Sequence, residues 1–241
     1  MEWQRLLVSA DTVLERIRPG MSVFLSTGAA EPRTLVKHLM AAQSAKLQDL
    51  ELIQIVSFAD AISLKNLQSQ KFRLKTFFSG WVADEAIAAG HVDLIPCSLS
   101  RIPRLIEKRS VGIDAVFVQI TPPDKDGISS LGLSVDAARL AMEQAKLVVG
   151  EINHQIPRTF GDTYVQVSDF DLLVQSNEPP VYFERWPVEP VYDQIASHIK
   201  SLIDDQSCIA FSMGPLFEAV SRALVKKKHL GIHSPFFSDA L

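Results

Sequence analysis

The sequence predicts an α/β protein: an open, mostly parallel sheet flanked by helices, followed by the first βα unit of a second, similar lobe. Three observations predict it. Short apolar, β-branched runs alternate with amphipathic stretches from residue 21 to residue 170, the rhythm of βαβ units that build a parallel sheet. One run, "DAVFVQIT" (114–121), is apolar enough to be a strongly buried strand. Several strands end in turns of small residues, prolines and glycines that lead into a helix, where open α/β sheets hold ligands.

The elements follow in order. "MSVFLS" (21–26) reads as a strand. "EPRTLVKHLMAAQSA" (31–45) reads as a helix with Leu35, Leu39 and Met40 on one face. Pro32 falls near its first turn, where a missing N–H costs nothing. "LELIQIVS" (50–57) and "FRLKTFFS" (72–79) are strands, "VADEAIAAG" (82–90) a short helix stopped by Gly90, and "VDLIPC" (92–97) a further strand. "SLSRIPRLIEK" (98–108) predicts a helix interrupted near Pro103. "SVDAARLAMEQA" (134–145) predicts a helix capped by Ser134 or Asp136. "KLVVGEIN" (146–153) and "YVQVSDF" (164–170) complete the series of strands.

The pattern then changes. Pro179, Pro180, Pro187 and Pro190 make residues 179–190 an irregular connector. This divides the chain into an N-terminal domain (1–178), the connector, and a start of a C-terminal domain (191–241). In the latter "VYDQIASHIKSLI" is amphipathic, "CIAFSM" a strand and "GPLFEAVSRALVKKK" a helix. The chain ends before such a lobe closes its core, so a missing C-terminal domain is expected.

Composition narrows the function. At 241 residues the chain can bury a sizeable core. Its net charge of −4 lacks the basic excess of a nucleic-acid or anionic-membrane binder. No apolar run reaches the length of a membrane span, and the N-terminus lacks the apolar stretch of a secretory signal. Cys97 and Cys208 are far apart and without partner motifs, so neither a disulfide framework nor a zinc site is indicated. A cytoplasmic setting fits, and Cys208, inside an apolar run, reads as core rather than nucleophile.

Three stretches are candidates for chemistry. In "STGAAEPRTL" (26–35), Gly28, Ala29 and Ala30 allow close backbone approach, and the helix start near Glu31 and Pro32 offers amides to an anion. A plain strand-to-helix turn is the alternative. In "ITPPDKDGISSLGLSVDAA" (120–138), Pro122, Pro123, Asp124, Gly127, Ser130 and Gly132 form a stiffened loop at a strand end. The alternative is a β-turn at Pro123-Asp124 with Gly127 at positive φ. In "NHQIPRTFGDTYVQVSDFD" (153–171), Asn153, His154, Arg158, Thr159 and Asp162 gather after an apolar strand, as a site lining or a surface loop. His38 and His198 have no second ligand at helical spacing, and no G-x-S-x-G elbow or P-loop occurs.

Together, "STGAAEP", "FFSGWVADEAIAAGHVDLIPCSLSRIPRLI", "VFVQITPPDKDGISSLGLSVDAARLAMEQAKLVVGEIN", "IPRTFGDTYVQVSDFDLLV" and "LGIHS" resemble the acetyl-CoA hydrolase/transferase family, which includes 4-hydroxybutyrate and butyrate–acetate CoA-transferases. The resemblance runs in order along nearly the whole chain. It implies CoA thioesters of small carboxylic acids as substrates, no permanently bound cofactor, CoA lying between two α/β halves, and leaves a homodimer open. It also implies covalent catalysis by a glutamate: the carboxylate attacks the acyl-CoA, CoA thiolate attacks the resulting anhydride, and a second acid reverses the steps. Backbone N–H groups in glycine-rich turns would stabilise the oxyanion. Gly28, Ala29, Glu31, Pro32, Pro122, Pro123, Asp124, Gly127, Ser130, Gly132, Asn153, Pro157, Gly161 and Gly214 match family motifs and carry over as lining candidates.

Two departures stand out. The family run resembling "LQLGIGAIPNAV" is here "IAFSMGPLFEAV": Gly214 is kept, while Ala210, Ser212 and Phe217 replace glutamine, glycine and proline. The family's "LGIHTE" is here "LGIHSP", which puts Pro235 at the nucleophile's place. Proline has no ionisable group and no N–H. Phe236 and Phe237 follow, and Asp239 matches an aspartate the family already has. The expected activity is that of a CoA-transferase or acetyl-CoA hydrolase family protein in which this chain performs no glutamyl-CoA chemistry. The alternative is a non-catalytic CoA- or acyl-CoA-binding module of a larger protein. A phosphosugar isomerase or deaminase, of similar fold, is disfavoured because the matching loops are the acyl-CoA ones.

Overall fold

Seven of the apolar runs pair side by side in a computed structural model that describes residues 2–43, 47–56, 71–78, 87–88, 90, 92–182 and 184–241. They are β1 (Ser22–Leu25), β2 (Leu50–Gln54), β3 (Phe72–Thr76), β4 (Val92–Leu94), β5 (Ala115–Ile120), β7 (Leu147–Asn153) and β9 (Leu172–Ser176). The order is β4-β3-β2-β1-β5-β7-β9, and every pairing is parallel. From β1 the chain therefore runs outward to one edge, returns to the other flank of β1 as β5, and runs outward again. Two short strands, β6 (Ile128–Ser130) and β8 (Tyr164–Gln166), form a separate antiparallel pair.

Alternating side chains feed two cores, one on each face of the sheet. Val23 and Leu25 of β1, Phe117 of β5 and Val149 of β7 join one with α1 (Ala10–Leu14) and α2 (Arg33–Ala41). Phe24, Val116, Val118 and Ile152 join the other with α3 (Ile102–Glu107) and α4 (Ala138–Gln144). β5 is buried along its whole length, as its composition predicts.

Three details differ from the sequence reading, and a fourth lies mostly outside the described residues. Residues 164–170 do not enter the main sheet. The last strand is β9, whose Leu173 and Val174 are buried where the 164–170 stretch leaves residues exposed. Pro103 does not interrupt a helix; it sits in the first turn of α3, behind the 3-10 turn Leu99–Arg101. α4 starts at Ala138 behind an N-cap residue, Ala137, that has no side chain to cap with, and Asp136 Oδ2 accepts the Thr27 N–H at 2.9 Å. The helix expected at 82–90 lies mostly outside the described residues, though Gly90 takes a φ of 73° and donates its N–H to the Ile87 carbonyl at 3.0 Å.

The chain divides into two compact units, Met1–Tyr182 and Phe183–Leu241. The second consists of α5 (Pro190–Leu202), β10 (Cys208–Ala210), α6 (Pro215–Leu224) and β11 (Gly231–His233), with β10 and β11 parallel. Its small core contains Ala196, Phe211, Ala219, Val220 and Leu224. Arg185 closes on the buried Glu218 carboxylate, its Nε donating at 2.9 Å, and this pairing raises the arginine pKa. Cys208 is exposed on β10, not core, because the alternate side chain, Ile209, is the one that packs on the core of its unit. Among the described residues no helix is long and apolar enough to cross a membrane, and no cluster of three or more His, Cys, Asp or Glu is placed to hold a metal.

Candidate functional site

The winding of the sheet reverses between β1 and β5, and it is outside the carboxyl ends of the strands at such a reversal that open α/β sheets bind ligands. The three stretches singled out in the sequence follow β1, β5 and β7, three adjacent strands at that reversal. Gly28, Ala29, Glu31 and Pro32 follow β1; Pro122 to Gly132 follow β5; Asn153, Pro157 and Gly161 follow β7. Gly214 belongs to the second unit, at the start of α6 with a φ of 124°.

The first loop is held by its own amides. Ser26 N–H donates to the Phe117 carbonyl at 3.0 Å, and Gly28 N–H to the Val56 carbonyl at 3.0 Å. Thr27 N–H donates to Asp136 Oδ2 at 2.9 Å, while its hydroxyl accepts from Ile55 N–H at 3.1 Å. Gly28 at a φ of 59° starts the 3-10 turn Gly28–Ala30. Within it Ala30 and Glu31 N–H donate to the Thr27 and Gly28 carbonyls, at 3.0 and 3.3 Å. Ala29 N–H alone in residues 26–31 has no acceptor among the described residues, and Ala29 is part-exposed.

The helix end expected to offer amides to an anion is filled by the protein. Glu151, fully buried on β7, accepts Thr34 N–H at 3.1 Å and Leu35 N–H at 2.9 Å, and so caps α2 from another strand. Burial pushes its pKa up, against the hydrogen bonds from Leu35, Ser176 and Thr34. Glu31 is also fully buried, its Oε2 accepting from Gln54 Nε2 at 3.1 Å. As a lining candidate it supports the loop from within.

The second and third loops are tied together. Ser130, fully buried, accepts Gly132 N–H at 3.1 Å and Thr159 N–H at 3.2 Å through its Oγ, which also lies 3.0 Å from Thr159 Oγ1 and 3.1 Å from Thr163 Oγ1. Ser130→Ala should lower stability by about 2–3 kcal/mol, since two amide donors lose their acceptor; a fall in the urea midpoint with an unchanged slope checks it. Gly132, at a φ of 68°, allows close approach: a Cβ there would meet Ile156 Cδ1 at 2.8 Å. Asp124 Oδ1 accepts the N–H groups of Asp126 and Ile128, each at 2.9 Å, and Gly127 takes the expected positive φ, 75°. Asp124 Oδ2 pairs with Arg158 Nη2 at 2.9 Å, and the Arg158 guanidinium stands over the Tyr164 ring at 5.2 Å. These bonds hold the Asp124 carboxyl below its usual pKa, the Ile128 amide foremost.

Asn153 joins strand ends: its Nδ2 donates to Gln119 Oε1 at 2.7 Å and to the Glu178 carbonyl at 2.8 Å. Pro157 and Gly161 are exposed on the same loop, and Asp162 pairs with Arg139 at 3.2 Å. His154 is exposed. The sequence reading missed Gln54, Gln119 and Glu151 as parts of this polar edge, and gave Asp136 a different partner. The signal was present: each of the three is a polar residue near the end of an otherwise apolar strand.

Asp136 adopts a φ of 30°. Its Oδ1 is buried and has no hydrogen-bond partner in good geometry among the described residues. Burial pushes its carboxyl from 3.8 up to about 6, although Thr27, Ala138 and Ala137 stabilise the charged form.

Residues 1–184 match the acetyl-CoA hydrolase/transferase N-terminal domain. The chain is 31% identical over its whole length to the 4-hydroxybutyrate coenzyme A transferase of Clostridium kluyveri, covering 57% of that protein. It is 32% identical over 97% of its length to the succinyl-CoA:acetate/propanoyl-CoA:succinate CoA transferase of Fasciola hepatica, covering 49% of it. It thus spans about half the length of these curated relatives. RipA from Yersinia pestis, 23% identical, superposes with a TM-score of 0.89 over 99% of this chain and 57% of its own, a likeness of fold. The three loops at the sheet reversal lie within the matched residues, and the chain belongs to the acetyl-CoA hydrolase/transferase family.

Proposed function

We propose that this chain binds CoA thioesters of small carboxylic acids at the carboxyl-end edge of the seven-stranded sheet, as part of an acyl-CoA:carboxylate CoA-transferase or acetyl-CoA hydrolase. The observation that carries the reading is the meeting of the β1, β5 and β7 loops at the reversal of strand order, pinned by the Asp136, Gln119, Asn153 and Ser130 bonds. The identified family and the names of its relatives support the substrate class. The boundary of the catalytic lobe falls, on this reading, within residues 179–190.

Pro235 stands where the family pattern has its glutamate, so this chain forms no glutamyl-CoA thioester. Pro235 is exposed after β11, in a turn where Ser234 Oγ accepts Phe236 N–H at 3.1 Å and donates to the Phe236 carbonyl at 2.7 Å. Neither it nor the phenylalanines that follow can attack a thioester. That observation favours a second reading, a non-catalytic acyl-CoA-binding module of a larger protein.

Incubation with acetyl-CoA followed by intact-mass and peptide mass spectrometry tests the nucleophile. The expected result is no covalent adduct, and a CoA thioester on any glutamate of the chain overturns it. Titration calorimetry with acetyl-CoA tests the site. Binding without turnover supports the module, and no heat at millimolar-range ligand removes the ligand assignment.

A further inference from the structure

Asp136 is the tie between two loops of the site and the start of α4. It lies 109 residues from Thr27 in sequence, yet its Oδ2 accepts the Thr27 N–H at 2.9 Å. The Thr27 hydroxyl takes the Ile55 N–H from the end of β2. One side chain thus joins the segments that follow β1 and β2 to the first turn of α4. To do so it takes a left-handed backbone at a φ of 30° and leaves one carboxylate oxygen buried without a well-placed partner.

What the tie holds is a donor. Among the described residues, every amide from Ser26 to Glu31 except that of Ala29 has an acceptor. We propose that Asp136 is a positioning residue: by holding Thr27 it fixes the Gly28–Ala30 turn so that the Ala29 N–H is presented to an oxygen of the ligand, a thioester carbonyl or a carboxylate. The proposal rests on the reading that acyl-CoA binds at this edge. It assigns to one backbone donor and one remote carboxylate a role that the sequence motif does not distinguish from helix capping.

The charged groups on the neighbouring elements are engaged elsewhere or exposed. Arg139 of α4 pairs with Asp162 and donates to the Tyr164 carbonyl, and Glu143 is exposed. Glu31 bonds Gln54, and Arg33 donates to the Pro179 carbonyl. None of these is an ion-pair partner for Asp136. Its ionisation therefore acts on the Thr27 bond directly.

Native-state amide exchange by NMR, read against intrinsic rates, is combined with acetyl-CoA calorimetry on Asp136→Ala and Asp136→Asn. In Asp136→Ala the Thr27, Gly28 and Ala30 amides should exchange about tenfold faster while core amides of β1 and β5 keep their protection, and acetyl-CoA should bind about tenfold more weakly. Asp136→Asn keeps an acceptor oxygen and should restore both to within about threefold of wild type. The wild-type turn should tighten as pH falls from about 7 to about 5, because a carboxyl pushed up to about 6 holds its proton better in the closed turn than in the open one, and the Asn variant should show no such change. This pH series stands even if the Ala variant fails to fold. Unchanged turn exchange in a folded Ala variant overturns the proposal, as does faster exchange with unchanged acetyl-CoA affinity. A flat wild-type pH series overturns it too. A wild type that binds no acetyl-CoA removes the ligand reading, and with it the proposal's ligand half; the exchange data separate that failure from failure of the tie.

Discussion

Glu151→Ala should lower stability by about 3–4 kcal/mol, the largest effect expected from any single polar substitution in the first unit. The carboxylate sits fully buried in β7 and receives two amides from the first turn of α2. Pro32 precedes that turn and has no side chain able to cap it. Truncation leaves the Thr34 and Leu35 donors without an acceptor, at about 1–3 kcal/mol each for buried groups, and opens a small cavity beside them. Against this, the charged form no longer has to be desolvated, which returns part of the loss. Glu151→Gln keeps one acceptor oxygen but turns an NH2 toward an N–H, so about half the loss is expected. Urea unfolding of both variants checks the ranking. A Gln variant less stable than the Ala variant would show that capping is not what the residue contributes.

Asp136→Asn should do the opposite near neutral pH. The rise of the carboxyl from 3.8 to about 6 means that the folded state holds its proton where the unfolded chain has lost it. Stability linked to this group is therefore full below about pH 4 and is lost as pH rises through about 6. At about pH 7 the ionised carboxylate costs on the order of 3 kcal/mol relative to an unperturbed one. Asparagine retains an oxygen for the Thr27 N–H and carries no charge, so the variant should gain about 1–3 kcal/mol at neutral pH and little below about pH 4. Unfolding free energies measured across that range check it, and parallel curves for the two proteins would refute it. A neutral residue that stabilises the fold where the native one is a strained, buried acid is the pattern of a position kept for function rather than stability.

Much of this was legible in the chain. The apolar runs at 22–25, 50–54, 72–76, 92–94, 115–120 and 147–153 are strands because β-branched and aliphatic side chains suit a pleat buried on both faces. The positive φ of Gly127 follows from a Pro-Asp loop that must reverse within a few residues. The stretch 164–170 misled because its short alternation serves equally for a strand pairing at the rim, which is what β8 does with β6. β9 was hidden in the family motif "DLLV", read for resemblance rather than for pattern. Cys208 misled because alternate residues of a strand face opposite ways, and it is Ile209 that packs on the core of its unit.

The sequence by itself determined the fold class, the family, the three loop stretches that became the candidate site, and the proline at position 235, because each is written in residues close together in the chain. Only the tertiary structure decided the strand order and its reversal between β1 and β5. It alone made Glu151 the cap of a helix 116 residues earlier, and made Asp136 the partner of Thr27, 109 residues before it. A carboxylate can accept any amide that comes within reach, so its type predicts that it will be satisfied but not by whom. The partner is chosen by the packing that brings distant strands together.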